Sequence, residues 1–299
     1  MFYELIDRMR RRRFARACEG VLRAPPASLD PSSDMVVLTQ LPHKDVLLFL
    51  LALKSFTRRV QPRSVYVLDD GSLTAPDREA LRDHIPGVTF LERTAFASNA
   101  CPSGGCWERL LAIAELVRDH YVIQLDSDTL TLGALGEVRA WVTEGRAFIL
   151  GTWDRQGFET MQERATRAKK LNRSPEEHVQ LVAEANLDHL EGYETRRYVR
   201  GCAGFAGYPR RSFERSFVET TSEQMRAAMG EKWSEWGSEQ VMSNIVVASI
   251  EKASVLPHPK YADCHKMRPD VTEFVHFIGS CRFDGDRYAR LGAQVIAAL

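Results

Sequence analysis

No apolar run in this 299-residue chain exceeds eight residues. The longest, Val46 to Leu53, stops at Lys54, far short of the roughly 20 that a helix needs to span a bilayer, so no transmembrane segment is expected. An excess of one charge is also lacking, since 40 Lys and Arg balance 40 Asp and Glu. That removes whole-molecule attraction to nucleic acid; no nucleic-acid partner is expected, and any polyanion has to be met locally. Cysteine is sparse: Cys18, Cys101, Cys106, Cys202, Cys264 and Cys281 form no C-x-x-C pair and no repeated zinc-ligand spacing. They read as reduced thiols, mostly core filler. Cys101 and Cys106 bracket a turn-prone Pro-Ser-Gly-Gly, a spacing open to a disulfide or half a metal site but usually incidental. The start, MFYELIDRMRRRRFARACEG, has no apolar stretch and no small-residue cleavage pattern of a secretory signal. A cytoplasmic protein is the expectation. There is no internal repeat and no low-complexity tract.

What is present is ordinary for a folded globular chain: 44% hydrophobic and 27% charged residues exclude the disordered and collagen-like classes. The length suffices for a full core. Seven arginines lie between Arg8 and Arg23, with Phe2, Leu5, Ile6, Met9 and Phe14 interleaved, a basic amphipathic helix. It either lies on its own domain with a solvated arginine face or contacts anionic lipid head groups peripherally. A proline-containing linker follows, so residues 1–30 read as helix and linker and residues 31–299 as a single domain.

That domain opens with MVVLTQ (35–40), continuous and β-branched like a buried strand. Helical and strand patterns then alternate: Lys44 to Phe56, SVYVLDD (64–70), Asp77 to His84, VTFLE (88–92), Glu108 to Arg118, and YVIQLD (121–126). Such alternation predicts an α/β fold with a mixed, mainly parallel sheet flanked by helices. Later come AFILGTW (147–153), a polar helical stretch over about 157–190, RYVRGCAGFAGYP, a helix from Ser238, SVLP and FVHFIGSCRF.

Ligands of such sheets bind beyond the carboxyl ends of the strands, where Thr39-Gln40, Asp69-Asp70-Gly71-Ser72 and Asp126-Ser127-Asp128 fall. Alternate residues leaving a strand point to one side, so Asp126 and Asp128 can grip one hard cation, Mn2+ or Mg2+, with positions left for a diphosphate. The plainer alternative is a capped turn. His276, between Val275 and Phe277, is alone more often a core histidine; beside two carboxylates it reads as a ligand, and only its neutral imidazole coordinates.

The run YVIQLDSDTL resembles the D-x-D strand of GT-A glycosyltransferases, and the chain from Met35 to about Phe283 can be laid along that fold. SVLPHPKYADC with FVHFIGSCRF is similar to the closing segment of the glycogenin and lipopolysaccharide-galactosyltransferase group, family eight, with its His-Phe-x-Gly-x-x-Lys pattern. The resemblance implies that His276 is the third metal ligand, that Gly279 lets backbone approach the phosphates, and that Arg282 stands where the group has lysine. Phe283-Asp284 replaces its usual Pro-Trp. GCAGFAGYP (201–209) resembles the acceptor-side strand, and WSEWGSEQ (233–240) the acidic helix start beneath the donor sugar, with Glu239-Gln240 as the matching pair and Ser238 as helix cap. Trp233 and Trp236 are open to sugar stacking or to core packing. Asp69-Asp70-Gly71-Ser72 looks like the Asp-Asp-Gly-Ser of inverting, family-two enzymes, where an aspartate contacts the nucleoside. Trp107 and Arg109, opening a helix, are candidates for donor contact.

The resemblance therefore implies a metal-dependent transferase taking a nucleotide-diphosphate sugar, a UDP-sugar in the first instance, to a saccharide, lipid-linked or protein acceptor. The closing segment implies retention of anomeric configuration; the Asp-Asp-Gly-Ser implies inversion, with Glu239, Glu235 or Asp154 as base. Two rivals stand beside it. A haloacid-dehalogenase-like phosphatase shares D-x-D, but Thr129 falls one place early for its D-x-D-G-T-L; a non-catalytic GT-A-like binder keeps the fold without turnover.

Overall fold

The computed structural model describes residues 2–171, 174, 176–279 and 281–299, with side chains from Ile6 onward. Phe2 and Leu5, assigned from sequence to the apolar side of the first helix, lie outside the described side chains. In chain order the elements begin α1 (Phe2–Cys18), β1 (Met35–Leu41), α2 (Val46–Thr57), β2 (Ser64–Asp69), α3 (Ala75–His84), β3 (Thr89–Glu92), α4 (Trp107–Leu116), β4 (Tyr121–Leu125) and β5 (Thr129–Thr131). They continue with α5 (Gly136–Thr143), β6 (Ala147–Leu150), β7 (Glu159–Thr160), α6 (Met161–Lys169), α7 (Val179–Ala185), β8 (Arg197–Tyr198) and β9 (Cys202–Tyr208). The last are α8 (Arg215–Met229), α9 (Ser238–Ser249), β10 (Ala253–Val255), β11 (Tyr261–Asp263), β12 (Phe274–His276) and α10 (Arg287–Ala297).

Among the described residues, a seven-stranded sheet has the order β10-β6-β9-β4-β1-β2-β3 and a three-stranded sheet the order β11-β12-β5. The fold is mixed α/β, as the sequence pattern predicts. Two compact units are distinguished: Met1–Glu92 with Ile123–Ala140 and Pro257–Leu299, and Arg93–Val122 with Trp141–Leu256.

In the first unit β1, β2 and β3 run parallel, with Val37 opposite Val65 and Val67 opposite Phe90. Parallel strands are covered on both faces, which is why MVVLTQL carries an apolar run rather than an alternation. Helix α2 is buried at every position but Leu47, which accounts for its all-round hydrophobicity. Helix α3 starts in a capping box in which Thr74 and Asp77 satisfy each other's backbone N–H groups.

Helix α1 lies on its own unit. Phe14 is only 2% exposed and packs against Phe283 and Tyr288, with ring centroids 5.6 and 4.5 Å away. Its arginines pair with acids, Arg10 with Asp284 at 2.6 Å, Arg11 with Asp45 at 2.8 Å and Arg13 with Asp286 at 3.5 Å. No described helix is long and apolar enough to cross a membrane.

The cysteine expectation needs correction. Cys264 and Cys281 are joined in a disulfide, while Cys18, Cys101, Cys106 and Cys202 form no disulfide. The bonded pair has a sequence separation of 17, and it is the strand pairing around β12 that brings them together, so no local spacing announces the bond.

In the second unit β6 pairs antiparallel with β9 and parallel with β10. Gly207 faces Phe148 across β6 and β9, and a Cβ there would stand 2.3 Å from the Phe148 ring. Only glycine fits that crossing. The polar stretch over 157–190 is not one helix: it holds β7 and two short helices, α6 and α7. Their polarity has a local use, since buried Glu184 accepts from Arg164, Arg200 and Tyr198.

Candidate metal centre

Strand β4 ends at Leu125 and β5 begins at Thr129, so Asp126-Ser127-Asp128 forms the link between two strands. Strand β5 pairs antiparallel with β12, placing Thr129 opposite His276. The Phe277 N–H donates to the Asp128 carbonyl at 2.8 Å, and the Thr129 hydroxyl to the Asp126 carbonyl at 2.8 Å. Strand β11 holds β12 from the other side, with Asp263 opposite His276.

This short ladder brings one ligand atom from each of Asp126, Asp128 and His276 within 4.8 Å of the others. His276 Nε2 lies 3.1 Å from Asp128 Oδ1 and 3.8 Å from Asp126 Oδ2. Neighbouring ligands on a hard ion with bonds of about 2.1 Å stand about 3 Å apart, so the spacing needs little adjustment. Two carboxylates and an imidazole suit Mn2+ and accept Mg2+.

Asp128 is buried, which by itself would push its carboxyl up. The charge and hydrogen bond of His276 and the charge of Arg282 outweigh that burial and hold the carboxyl well below the usual carboxylate range. Arg282 donates to Asp128 Oδ2 and, through Nε, to the Phe277 carbonyl at 3.3 Å. Below the centre Tyr288 stacks on Phe277, ring centroids 4.0 Å apart. Beside it, no atom of the described residues lies within 4 Å of where a Gly279 Cβ would sit.

Four further residues of the first unit were singled out from sequence. Asp69 accepts from the Gly71 and Leu73 N–H groups and from Arg78, and Asp70 accepts from Ser72, so both close the turn after β2. At the end of β1, Thr39 Oγ1 and Gln40 Oε1 are buried and have no hydrogen-bond partner among the described residues. Unsatisfied buried acceptors cost about 1–3 kcal/mol and call for a reason.

In the second unit Arg109 and Glu239 are both buried and pair at 3.5 Å. The Ser243 hydroxyl donates to the other Glu239 oxygen at 2.8 Å. Gln240 donates to Gln180 at 3.3 Å. The expectation that Ser238 caps α9 is corrected: the cap is Gly237, at φ 102°, and the Ser238 hydroxyl accepts from the buried Trp107 indole at 3.0 Å. A left-handed cap position favours glycine over serine, which frees Ser238 for the indole. Trp233 is core, its N–H donating to Ser222 at 3.1 Å. Trp236 is 76% exposed. Asp154 is exposed, and Glu235 is paired with Lys232 at 2.8 Å.

No family model and no curated protein matches the chain by sequence. Solved structures match by shape. An active-site variant of LgtC, a galactosyltransferase, superposes with a TM-score of 0.51 at 14% identity, over 87% of this chain and 96% of that one. WbbM, a bifunctional glycosyltransferase, superposes with a TM-score of 0.52 at 13% identity, over 90% of this chain and 51% of WbbM. The chain thus spans about half the length of WbbM.

The fold is GT-A. At these identities the likeness is one of fold, and it agrees with the resemblance carried by YVIQLDSDTL. Within this GT-A chain, sequence reasoning missed Asp45, whose Oδ2 faces Arg282 at 3.8 Å. Its signal was an aspartate just before the apolar run of α2, a place where it reads as a helix cap.

Proposed function

We propose that the chain is a metal-dependent glycosyltransferase that moves a sugar from a nucleotide-diphosphate sugar, a UDP-sugar in the first instance, to an acceptor hydroxyl. The observation that carries this reading is the convergence of Asp126, Asp128 and His276 in a fold shared with LgtC and WbbM. Asp126, Asp128 and His276 would hold a Mn2+ or Mg2+ ion, which would supply positive charge to the diphosphate leaving group.

Arg282 offers a guanidinium beside the same centre, a geometry that suits phosphate oxygens, and the backbone at Gly279, which lacks a Cβ, is assigned to them. Thr39 and Gln40, with their unsatisfied oxygens, and Asp69 and Asp70 are assigned to the nucleoside. Arg109, Glu239 and Gln240 are assigned to the donor sugar on the strength of the sequence resemblance. Both oxygens of Glu239 are engaged, by Arg109 and Ser243, which suits a group that orients by hydrogen bonding better than one that must collect a proton. This supports retention, with the departing diphosphate taking the acceptor's proton. Inversion needs a free base, and exposed Asp154 is then the candidate.

Residues 31–299 are taken as the catalytic domain and 1–30 as an appended helix and linker, acting in the cytoplasm. Any peripheral contact with anionic head groups falls to the side of α1 that carries exposed Met9. The acceptor is a saccharide, a lipid-linked sugar or a protein.

The test is a thermal-shift panel of UDP, GDP and ADP with and without Mn2+, since a ligand bound only by the native state raises the melting temperature. Stabilisation by UDP that needs Mn2+ and vanishes in Asp128→Ala is the expected result; no shift with any nucleotide sinks the reading. Release of phosphate from an aryl phosphate would instead mark the phosphatase. Proton NMR of the product decides between retention and inversion.

A further inference from the structure

Asp45 occupies the residue before α2, from which an aspartate ordinarily accepts hydrogen bonds from the helix's first free N–H groups. It makes no such bond. Its Oδ1 accepts from Arg11 of α1 at 2.8 Å, and its Oδ2 faces the Arg282 guanidinium at 3.8 Å. The other terminal nitrogen of Arg282 donates to Asp128 Oδ2. One guanidinium thus stands between two nearly buried carboxylates, of which Asp128 belongs to the metal centre and Asp45 does not. Arg11 draws on the second carboxylate from outside.

A cation entering at Asp128 and the guanidinium already there compete for the same negative charge. Buried charges that lose a partner must find another, and Asp45 is the carboxylate within reach. We infer that Asp45 is a positioning residue that receives Arg282 when a divalent cation takes Asp128, with Arg11 setting how strongly Asp45 draws it. The N-terminal helix thereby tunes metal affinity through three successive ion pairs, Arg11–Asp45, Asp45–Arg282 and Arg282–Asp128. This rests on the metal-site reading above.

The experiment is a calorimetric Mn2+ titration of the full chain without nucleotide, on wild type, Arg282→Met, Asp45→Asn, Arg11→Gln and each of the last two combined with Arg282→Met. Arg282→Met is expected to tighten Mn2+ binding about tenfold by removing the competing cation. Asp45→Asn is expected to weaken it about fivefold and Arg11→Gln to tighten it about threefold, both effects disappearing when Arg282 is methionine. Equal effects with and without Arg282 would mean that both residues act only through their long-range field, and the inference is overturned. Arg11 lies on a partly exposed helix face, so Arg11→Gln carries the test if Asp45→Asn does not fold. Failure of the metal reading looks different: wild type takes up no Mn2+, or Asp128→Ala takes it up unchanged.

Discussion

His276 Nε2 and Asp128 Oδ1 stand 3.1 Å apart across 148 residues of sequence. The contact follows from the pairing of β5 with β12, each only three residues long, because His276 and Thr129 are register partners. His276→Ala removes one of three donors and leaves the ladder's backbone bonds in place. Mn2+ affinity is expected to fall about 100-fold, at least the loss that follows when a ligand's own supporting partner is removed. Titration calorimetry checks it; an unchanged affinity contradicts the role of ligand.

Lys54 gives a pH dependence that does not involve the centre. Its ammonium is buried and donates to the Val21 and Ala24 carbonyls at 2.9 Å each. Burial lowers its pKa from 10.5 to about 8, so the native state gives up this proton before the unfolded chain does. Between those two values the unfolded chain binds more protons, and stability rises with pH. Lys54→Met abolishes that rise and leaves two carbonyls without their donor, costing about 1–3 kcal/mol near neutrality. In urea unfolding the gap between wild type and variant should widen from about pH 8 to about pH 10.5. A gap constant over that range would show that Lys54 does not titrate there.

Much of the fold is legible in the sequence because its first half is built of long patterns. The runs MVVL and VLLFLLAL are apolar throughout, and they open the buried strand β1 and the buried helix α2. Asp126 and Asp128 are readable as acids after an apolar strand, since β4 precedes them. What brings His276 to them is not readable by period, because strands of three residues are too short to show one. The same shortness conceals the Cys264–Cys281 bond. Asp45 is inconspicuous in sequence for another reason: an aspartate before a helix already has an ordinary explanation, and in the fold it does not cap. The helical pattern over 157–190 is longer than α6 and α7, because buried Glu184 and its arginines look in sequence like a solvated face.

Two tryptophans that sequence could not tell apart now predict opposite outcomes. Trp233 is fully buried and packs edge-on against Trp107 with centroids 5.6 Å apart. Trp233→Ala is expected to cost about 3–5 kcal/mol, as large-to-small core changes do. Trp236, exposed and standing 6.0 Å from the His178 ring, has little to lose, and Trp236→Ala should stay within about 0.5 kcal/mol of wild type. Paired denaturation curves decide it; similar losses at both positions would contradict the assigned burial.

The disulfide couples stability to the candidate centre. Cys264 follows β11 and its N–H donates to the His276 carbonyl at 3.0 Å, while Cys281 directly precedes Arg282. The bond therefore closes the segment that carries His276 and Gly279, and Arg282 stands directly beyond its second cysteine. Closing a loop of this length removes conformational freedom from the unfolded chain worth about 3 kcal/mol. Cys264→Ser should lower stability by about that amount, and dithiothreitol should do the same to wild type while leaving the variant unchanged. Because the freed segment bears a metal donor, Mn2+ affinity should fall in both cases, to a common value. Should reductant weaken Mn2+ binding in Cys264→Ser as well, the loss would not come from this bond, and the link between the bond and the centre would be wrong.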